Sequence, residues 1–463
     1  MKEKILAYIH GKDLDNLKAL LASADEMEIL QVLHGLSNEE QAIVFRLLAK
    51  DSALTVFEQL DTAEQQNLLR SFTGDKATEL VNEMAPDDRV RLLDEMPASV
   101  AKKMIDSLSP KEREATNVLL GYAPETAGRI MTTEYIALQG DMTVEQALVK
   151  VSALAKDKET VYTLFVTDGT KKLEGVLTLK GLLIARGVPG ATVGKTDGNT
   201  PLRDIMSKNL VSVSTDTDQE EVARIMQGLD LLAIPVVDRE GRLVGMVTVD
   251  DAMDILEEEA TEDILDQAGF AGITGRESYR SEILIKGSMW KIWRVRLPFL
   301  LITLAAGLLA GFIIEGFEEA LESIAVIAIF IPLIMDMGGN VGTQSSTVFA
   351  RGVVLGHISV KRFLKPFAKE IGIGFSMGVL IGAAAGVVTT VWQGIPMLGV
   401  AVGLSLVATM TLAALLGFLV PFVLIKMNVD QAAGSAPIIT SIKDIVGLLI
   451  YFVSVTIFLG NML

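Results

Sequence analysis

Cut at Leu36, Leu48, Leu60, Phe72, Met84, Met96 and Leu108, the chain shows a 12-residue period over residues 36–119. The first position of each unit is large and apolar. The ninth and tenth are filled by pairs such as Val44–Phe45, Val56–Phe57, Leu68–Leu69 and Leu92–Leu93. Between them stand polar helix starters such as Ser37, Asp61, Asp87 and Ser109, with Pro86, Pro97 and Pro110 at early positions that a helix tolerates. A unit this short buries its apolar edge only against its neighbours, so the pattern predicts short helices stacked as a superhelical solenoid.

From residue 131 to about residue 256 the period changes. MTTEYIALQGDMTVEQALVKVSAL leads into the strand-like VYTLFVTD, a turn and LEGVLTLKGLL; IMSKNLVSVSTDTDQEEVARIMQGLD leads in the same order into LAIPVVDREGRLVGMVTVDDAMDIL. On these residues the pair resembles a tandem of cystathionine-β-synthase (CBS) regulatory motifs, with LAIPVVDREGRLVGMVTVDDAM its most recognisable segment. The resemblance implies a nucleotide or ion sensor. In nucleotide-binding members a Thr/Ser-x-x-Asp on the last strand-to-helix turn meets the ribose. That implies Thr248 and Asp251 as contacts for an adenine nucleotide such as ATP, with helix N-termini facing phosphate. Equally open is plain capping of the following helix by Asp250 and Asp251.

Glu257, Glu258, Glu259, Glu262 and Asp263 then form an acidic helix face, and a Gly-punctuated stretch runs from Gly269 to Gly275. A second helix ends in Lys286, Lys291, Arg294 and Arg296 beside Trp290 and Trp293, the mark of a cytoplasmic membrane interface. Apolar stretches follow at about 297–314, 323–350, 371–392, 397–425 and 438–459, each reaching or extending to the roughly 20 residues of a span. The pattern predicts a multidomain chain. An α-helical superhelical N-domain (1–130) precedes an α/β tandem CBS domain (131–256), a connecting or plug helix (257–296) and an all-α five-helix transmembrane domain (297–463). The basic loop of Arg351, Lys361, Arg362, Lys365 and Lys369, against the acidic one of Glu315–Glu322, places the N-terminus in the cytoplasm and the C-terminus outside. The first residues have no continuous apolar core, so no cleavable signal peptide is read.

Charge sharpens this division. The net charge is −17, yet residues 297–463 hold only 7 Lys+Arg and 8 Asp+Glu, so the acid excess lies in front of them. Such a surface is a poor partner for nucleic acid and a good collector of cations. Cys is absent and only His10, His34 and His357 are available, which excludes disulfides, thiolate chemistry and Cys-ligated metals. Any bound metal is expected to be a hard cation held by oxygen. No phosphate-binding Gly-rich Lys motif and no Ser/His pairing is visible, so no enzyme is expected.

Within the membrane part Asp336, Asp430 and Asp444 are informative, because a carboxylate at membrane depth is costly unless paired, hydrated or coordinating an ion. Asp430, in the turn KMNVDQAAGSAP, reads either as a hydrated loop acid or as a pore-mouth acid. Asp444 reads either as a pathway acid or as the partner of Lys443. In PLIMDMGGNVGTQSSTVFARG, Pro332, Gly338, Gly339 and Gly342 are expected to weaken helix continuity while Asn340, Thr343, Gln344, Ser345 and Ser346 line a pore. Close packing through small residues is the competing reading.

At GFEEALESIAVIAIFIPLIMDMGGNVGTQSSTVFARG and DQAAGSAPIITSIKDIVGLL the chain resembles the MgtE family of magnesium channels, and the likeness extends over nearly its whole length. The resemblance implies a homodimer in the lipid bilayer of the cell membrane. It also implies Asp444 as the pore aspartate, Asp430 as the acid before the last span, and Asn340 and Gln344 in the wall. This chain departs from the family at Asp430-Gln431-Ala432, at Ser435-Ala436-Pro437 and at Thr343, where the family commonly has Asp-Pro-Ala, Ser-Gly-Pro and Asn. The charge split points independently to gating. Asp87/Asp88, Asp94/Glu95, Asp216/Asp218/Glu220/Glu221 and the run Asp250, Asp251, Asp254, Glu257, Glu258 and Glu259 repel one another unless cations neutralise them. Cytosolic Mg2+ bridging these acids would close the N-domain, CBS and plug elements over the pore; a solvated acidic surface is the plainer alternative. A carrier of manganese or cobalt with the same architecture, or a membrane-anchored adenine-nucleotide sensor, are the competing functions.

Overall fold

The computed structural model describes the chain outside residues 61, 73, 95, 187–197, 269–283, 286, 355, 428–434 and 461–463. It forms two compact units, Met1–Glu259 and Ala260–Leu463.

The first unit opens with α1 (Lys2–His10), α2 (Leu14–Ala22), α3 (Glu26–Leu33) and α4 (Asn38–Leu47), followed by α5 (Lys50–Glu58), α6 (Thr62–Ser71) and α7 (Gly74–Glu83). α8 (Pro86–Asp94), α9 (Ala98–Ser107) and α10 (Pro110–Leu120) complete the stack. From α4 onward each helix starts 12 residues after the one before, as the apolar period requires. Val44, Phe45, Val56, Phe57, Leu68 and Leu69 form the spine of the core, with the Phe45 and Phe57 rings edge to face at 5.9 Å. Ser37 and Glu40 close a reciprocal capping box at the start of α4.

The solenoid also carries an alternation that the apolar pattern hides. Gln41 donates to the Leu33 carbonyl at 2.9 Å, Gln65 to Phe57 at 2.7 Å, Arg89 to Val81 at 2.7 Å and Arg113 to Ile105 at 3.1 Å. Donors and acceptors both recur every 24 residues, so the structural unit is a helix pair. Each donor satisfies a carbonyl at or near a helix C-terminus, where the helix has no internal partner to offer. Arg89 is fully buried. It also donates to the Met84 carbonyl at 2.6 Å and pairs with Glu112 at 2.9 Å.

After the short α11 (Ala127–Ile130) come two equivalent sheets. β1 (Ala137–Gln139) pairs parallel with β2 (Thr163–Thr167), which pairs antiparallel with β3 (Leu173–Thr178). β4 (Val213–Ser214), β5 (Ala233–Val237) and β6 (Leu243–Thr248) repeat the order. The helices of this region are α12 (Val144–Leu154), α13 (Leu179–Arg186), α14 (Gln219–Gly228) and α15 (Val249–Gln267). The two motifs interlock: the Met131–Thr132 lead of the first bridges Met246 of the second, and Ser207 of the second bridges Val176 of the first. The acidic run 257–263 opens no new element, because α15 passes through it without a break.

Among its described residues the second unit contains five helices long and apolar enough to cross a bilayer. They are α16 (Met289–Glu315) and, after the short α17 (Glu318–Ser323), α18 (Ile331–Val354), α19 (Leu364–Gln393), α20 (Pro396–Lys426) and α21 (Ser435–Leu459). The expected break in the second span is corrected here. α18 runs unbroken through Gly338, Gly339 and Gly342, and the irregular part is a 3-10 turn at Ala325–Phe330, ahead of Pro332. The glycines permit close approach instead. A Cβ at Gly342 would lie 2.9 Å from Ile439, and one at Gly417 would lie 2.6 Å from the Gly342 carbonyl. α19 and α20 meet in the same way along Gly374, Gly378, Gly382 and Gly386 against Gly399 and Gly403.

Candidate functional site

On α18, Ile334, Gly338, Val341, Gly342, Ser345, Ser346 and Phe349 face the interior of the unit. Asp336, Asn340, Thr343, Gln344 and Thr347 follow the complementary helical spacing and are all exposed. Asn340 donates to Asp336 at 3.3 Å, one turn away. A polar stripe along a spanning helix cannot face hydrocarbon at acceptable cost, so it belongs against water or another protein surface.

Asp444 lies on α21 with about a fifth of its side chain exposed, and its Oδ1 is 2.5 Å from Lys443 Nζ. Lys443 is buried and donates to the Met335 carbonyl of α18. Met335 adjoins Asp336 in sequence, so the Asp444–Lys443 pair stands at the turn of α18 that begins the polar stripe. Of the two sequence readings of Asp444, the geometry shows the pairing with Lys443. Further along α18, towards its C-terminal end, the Ser345 hydroxyl donates to Glu370 of α19 at 2.7 Å. Glu370 was not singled out from sequence because it closes a basic loop segment and reads as part of it. Asp430 lies outside the described residues.

The second cluster belongs to the first unit. Asp87 and Asp88 begin α8, and Asp250, Asp251 and Asp254 begin α15. Arg91 lies among them, 3.7 Å from Asp88, 3.8 Å from Asp251 and 3.1 Å from Asp254. Burial, reinforced by the charges of Asp251, Asp88 and Glu159, raises the Asp87 carboxyl well above the usual range, and its Oδ1 has no hydrogen-bond partner. Burial pushes Glu58 up to about 7, with the charge of Asp88 adding. Asp251 is pushed up to about 6, by burial against the opposing pull of Arg91. Asp88 and Glu159 move the same way, burial first, with neighbouring carboxylates contributing. Glu58, Glu134 and Glu159 were missed from sequence because none stands in a dense acidic run; burial beside other carboxylates sets them apart.

Other expected acids are satisfied elsewhere. Asp94 takes two hydrogen bonds from Arg129 at 2.9 and 3.0 Å, and Asp216 pairs with Arg239 at 3.2 Å. Asp218 caps α14 by accepting from Glu220 and Glu221 backbone nitrogens. Glu220 pairs with Arg224. Glu259 accepts from Gln219 at 2.7 Å, Glu258 is half-buried, and Glu257 is exposed. Glu95 lies outside the described residues. Thr248 is buried and donates to Asp251 at 2.9 Å, so the Thr-x-x-Asp pair closes on itself at the turn into α15. Among the described residues no group of three or more acids or imidazoles converges in metal-holding geometry. The donors that are gathered here are carboxylate oxygens, one of them buried without a hydrogen-bond partner at Asp87. Their chemistry suits a hard cation.

A helical solenoid and an interlocked CBS pair precede, in one chain, five helices fit to span a bilayer, which makes this a multi-pass membrane protein with a large extramembrane part. Family comparison agrees region by region. Residues 331–454 match the MgtE divalent cation transporter domain, 24–125 the MgtE intracellular N domain, and 127–187 and 202–258 the CBS domain. The magnesium transporter MgtE of Thermus thermophilus is 37% identical over 339 residues, covering 73% of this chain and 71% of its own. That of Bacillus subtilis is 34% identical, covering 76% and 73%. A crystal structure of the cytosolic domain of the Mg2+ channel MgtE in complex with ATP superposes with a TM-score of 0.51 at 33% identity, over 55% of this chain and all of that one. The chain belongs to the MgtE family of magnesium transporters.

Proposed function

We propose that Mg2+ crosses the bilayer past Asp444, along a path walled by the stripe of Asp336, Asn340, Thr343 and Gln344, between two copies of the chain. The exposed stripe on α18 carries this reading. A second copy related by a two-fold axis would cover the stripe and enclose water, leaving apolar surfaces for lipid. Magnesium dehydrates reluctantly, so carboxylate and amide oxygens acting through water are the expected contacts. Asp430 is proposed at the cytoplasmic mouth and the C-terminus outside.

Closure is proposed to follow cytosolic Mg2+. Asp87, Asp88, Asp250, Asp251 and Asp254 crowd where two sequence-distant helices meet, and a divalent cation would supply the positive charge that Arg91 alone does not. Glu257, Glu258 and Glu259 extend this surface along α15 into the connecting segment 257–296. ATP is proposed at the CBS pair through Thr248 and Asp251, supported by the solved ATP complex of a relative. Magnesium flux into proteoliposomes tests the pore: Asp444→Ala is expected to abolish it, and flux equal to the parent's would refute the assignment.

A further inference from the structure

Lys443 sits in a setting that helix packing alone does not require. Its ammonium is buried, with 3% of the residue exposed, and it donates to the Met335 carbonyl. It occupies a groove kept open by two glycines. A Cβ at Gly339 would lie 3.0 Å from its Nζ, and one at Gly338 would lie 3.3 Å from its Cδ. An ammonium inside a membrane domain needs compensation, and among the described residues Lys443 meets the Met335 carbonyl and the Asp444 carboxylate, the latter at 2.5 Å.

The pair is close without being locked. Successive residues on a helix do not face each other, and Asp444 Oδ1 is buried without an aligned hydrogen bond despite the nearby ammonium. The carboxylate can therefore turn to an arriving ion while Lys443 stays bonded to Met335.

We propose that Lys443 is the tethered counter-cation of the transport carboxylate and sets how tightly Asp444 holds a passing ion. The proposal rests on the reading of Asp444 as a transport site. A fixed positive charge beside that site weakens binding in proportion to the ion's own charge, so a divalent ion is weakened about twice as much as a monovalent one. Conduction requires a site strong enough to fill and weak enough to empty. Lys443 trades affinity for release, and Gly338 and Gly339 are the residues that give it room.

The test is Mg2+ flux into proteoliposomes of the full chain, read separately as half-saturating concentration and maximal rate. Lys443→Gln keeps a donor for the Met335 carbonyl and removes the charge. It is expected to lower the half-saturating Mg2+ concentration at least about tenfold and to reduce the maximal rate. Lys443→Met, an apolar side chain suited to the seam, is expected to shift the same way, and Lys443→Arg to retain the parent value. An unchanged half-saturation in Lys443→Gln and Lys443→Met, whatever happens to the maximal rate, means that the lysine only anchors α21 to α18, and overturns the proposal. Asp444→Asn separates the two layers. If it abolishes flux while the lysine variants leave affinity unchanged, only this inference fails; if it transports like the parent, the transport site and the inference fail together.

Discussion

Arg91 places one guanidinium among Asp88, Asp251 and Asp254, carboxylates from two helices more than 150 residues apart in the chain. Its side chain is about one-fifth exposed, so the pairs are screened in part, but they link α8 to α15 directly. Removing the charge leaves the carboxylates facing one another. Arg91→Gln is expected to weaken the packing of α8 on α15 by roughly 1–2 kcal/mol and to raise the Mg2+ concentration that protects the cytosolic part from limited proteolysis. Protection at the parent's concentration would show that Arg91 is a bystander.

Spanning helices approach one another most closely in this molecule where side chains are small enough to let backbones touch. Along α19, Gly374, Gly378, Gly382 and Gly386 recur every four residues and form one ridge. A Cβ at Gly378 would lie 2.9 Å from the Val407 Cα, and one at Gly386 would lie 2.8 Å from the Gly399 carbonyl. Backbone cannot give way as a flexible side chain does. Gly382→Val is therefore expected to push α19 from α20 at a cost of about 1–3 kcal/mol, visible as a lower unfolding temperature in detergent. Gly307, with open space around its Cβ position, is the control: Gly307→Val should leave that temperature unchanged. The solenoid shows the opposite device, long donors such as Arg89 reaching across helix pairs to satisfy carbonyls that would otherwise be buried unpaired.

At the scale of the whole molecule, the carboxylate cluster ties the compactness of the first unit to pH. Glu58 rises from 4.5 to about 7 and Asp251 from 3.8 to about 6, so the packed form binds protons more tightly than the unfolded chain does. The resulting stabilisation is complete below the ordinary carboxylate values and is lost as pH rises through about 6 and then about 7. Metal-free protein should resist proteolysis better near pH 5.5 than near pH 8, since protons then do part of what a bridging cation does. Equal cleavage at both would contradict the cluster's electrostatics. The helix starts of the solenoid, the doubled CBS order and the five spans were legible in the chain because each depends on periodicity or length, which are local properties of a polymer. Asp444 and Asp251 were legible as unusual acids for the same reason: each could be compared with its own neighbours. Lys443 was already the candidate partner of its neighbour Asp444, but folding alone decided the contacts made across the chain. That Arg91 meets Asp251, that Lys443 reaches Met335, and that Gly338 and Gly339 leave α18 unbroken while clearing a groove are all consequences of helices distant in sequence coming side by side, and an ion pair or a close backbone approach exists only once both sides have arrived.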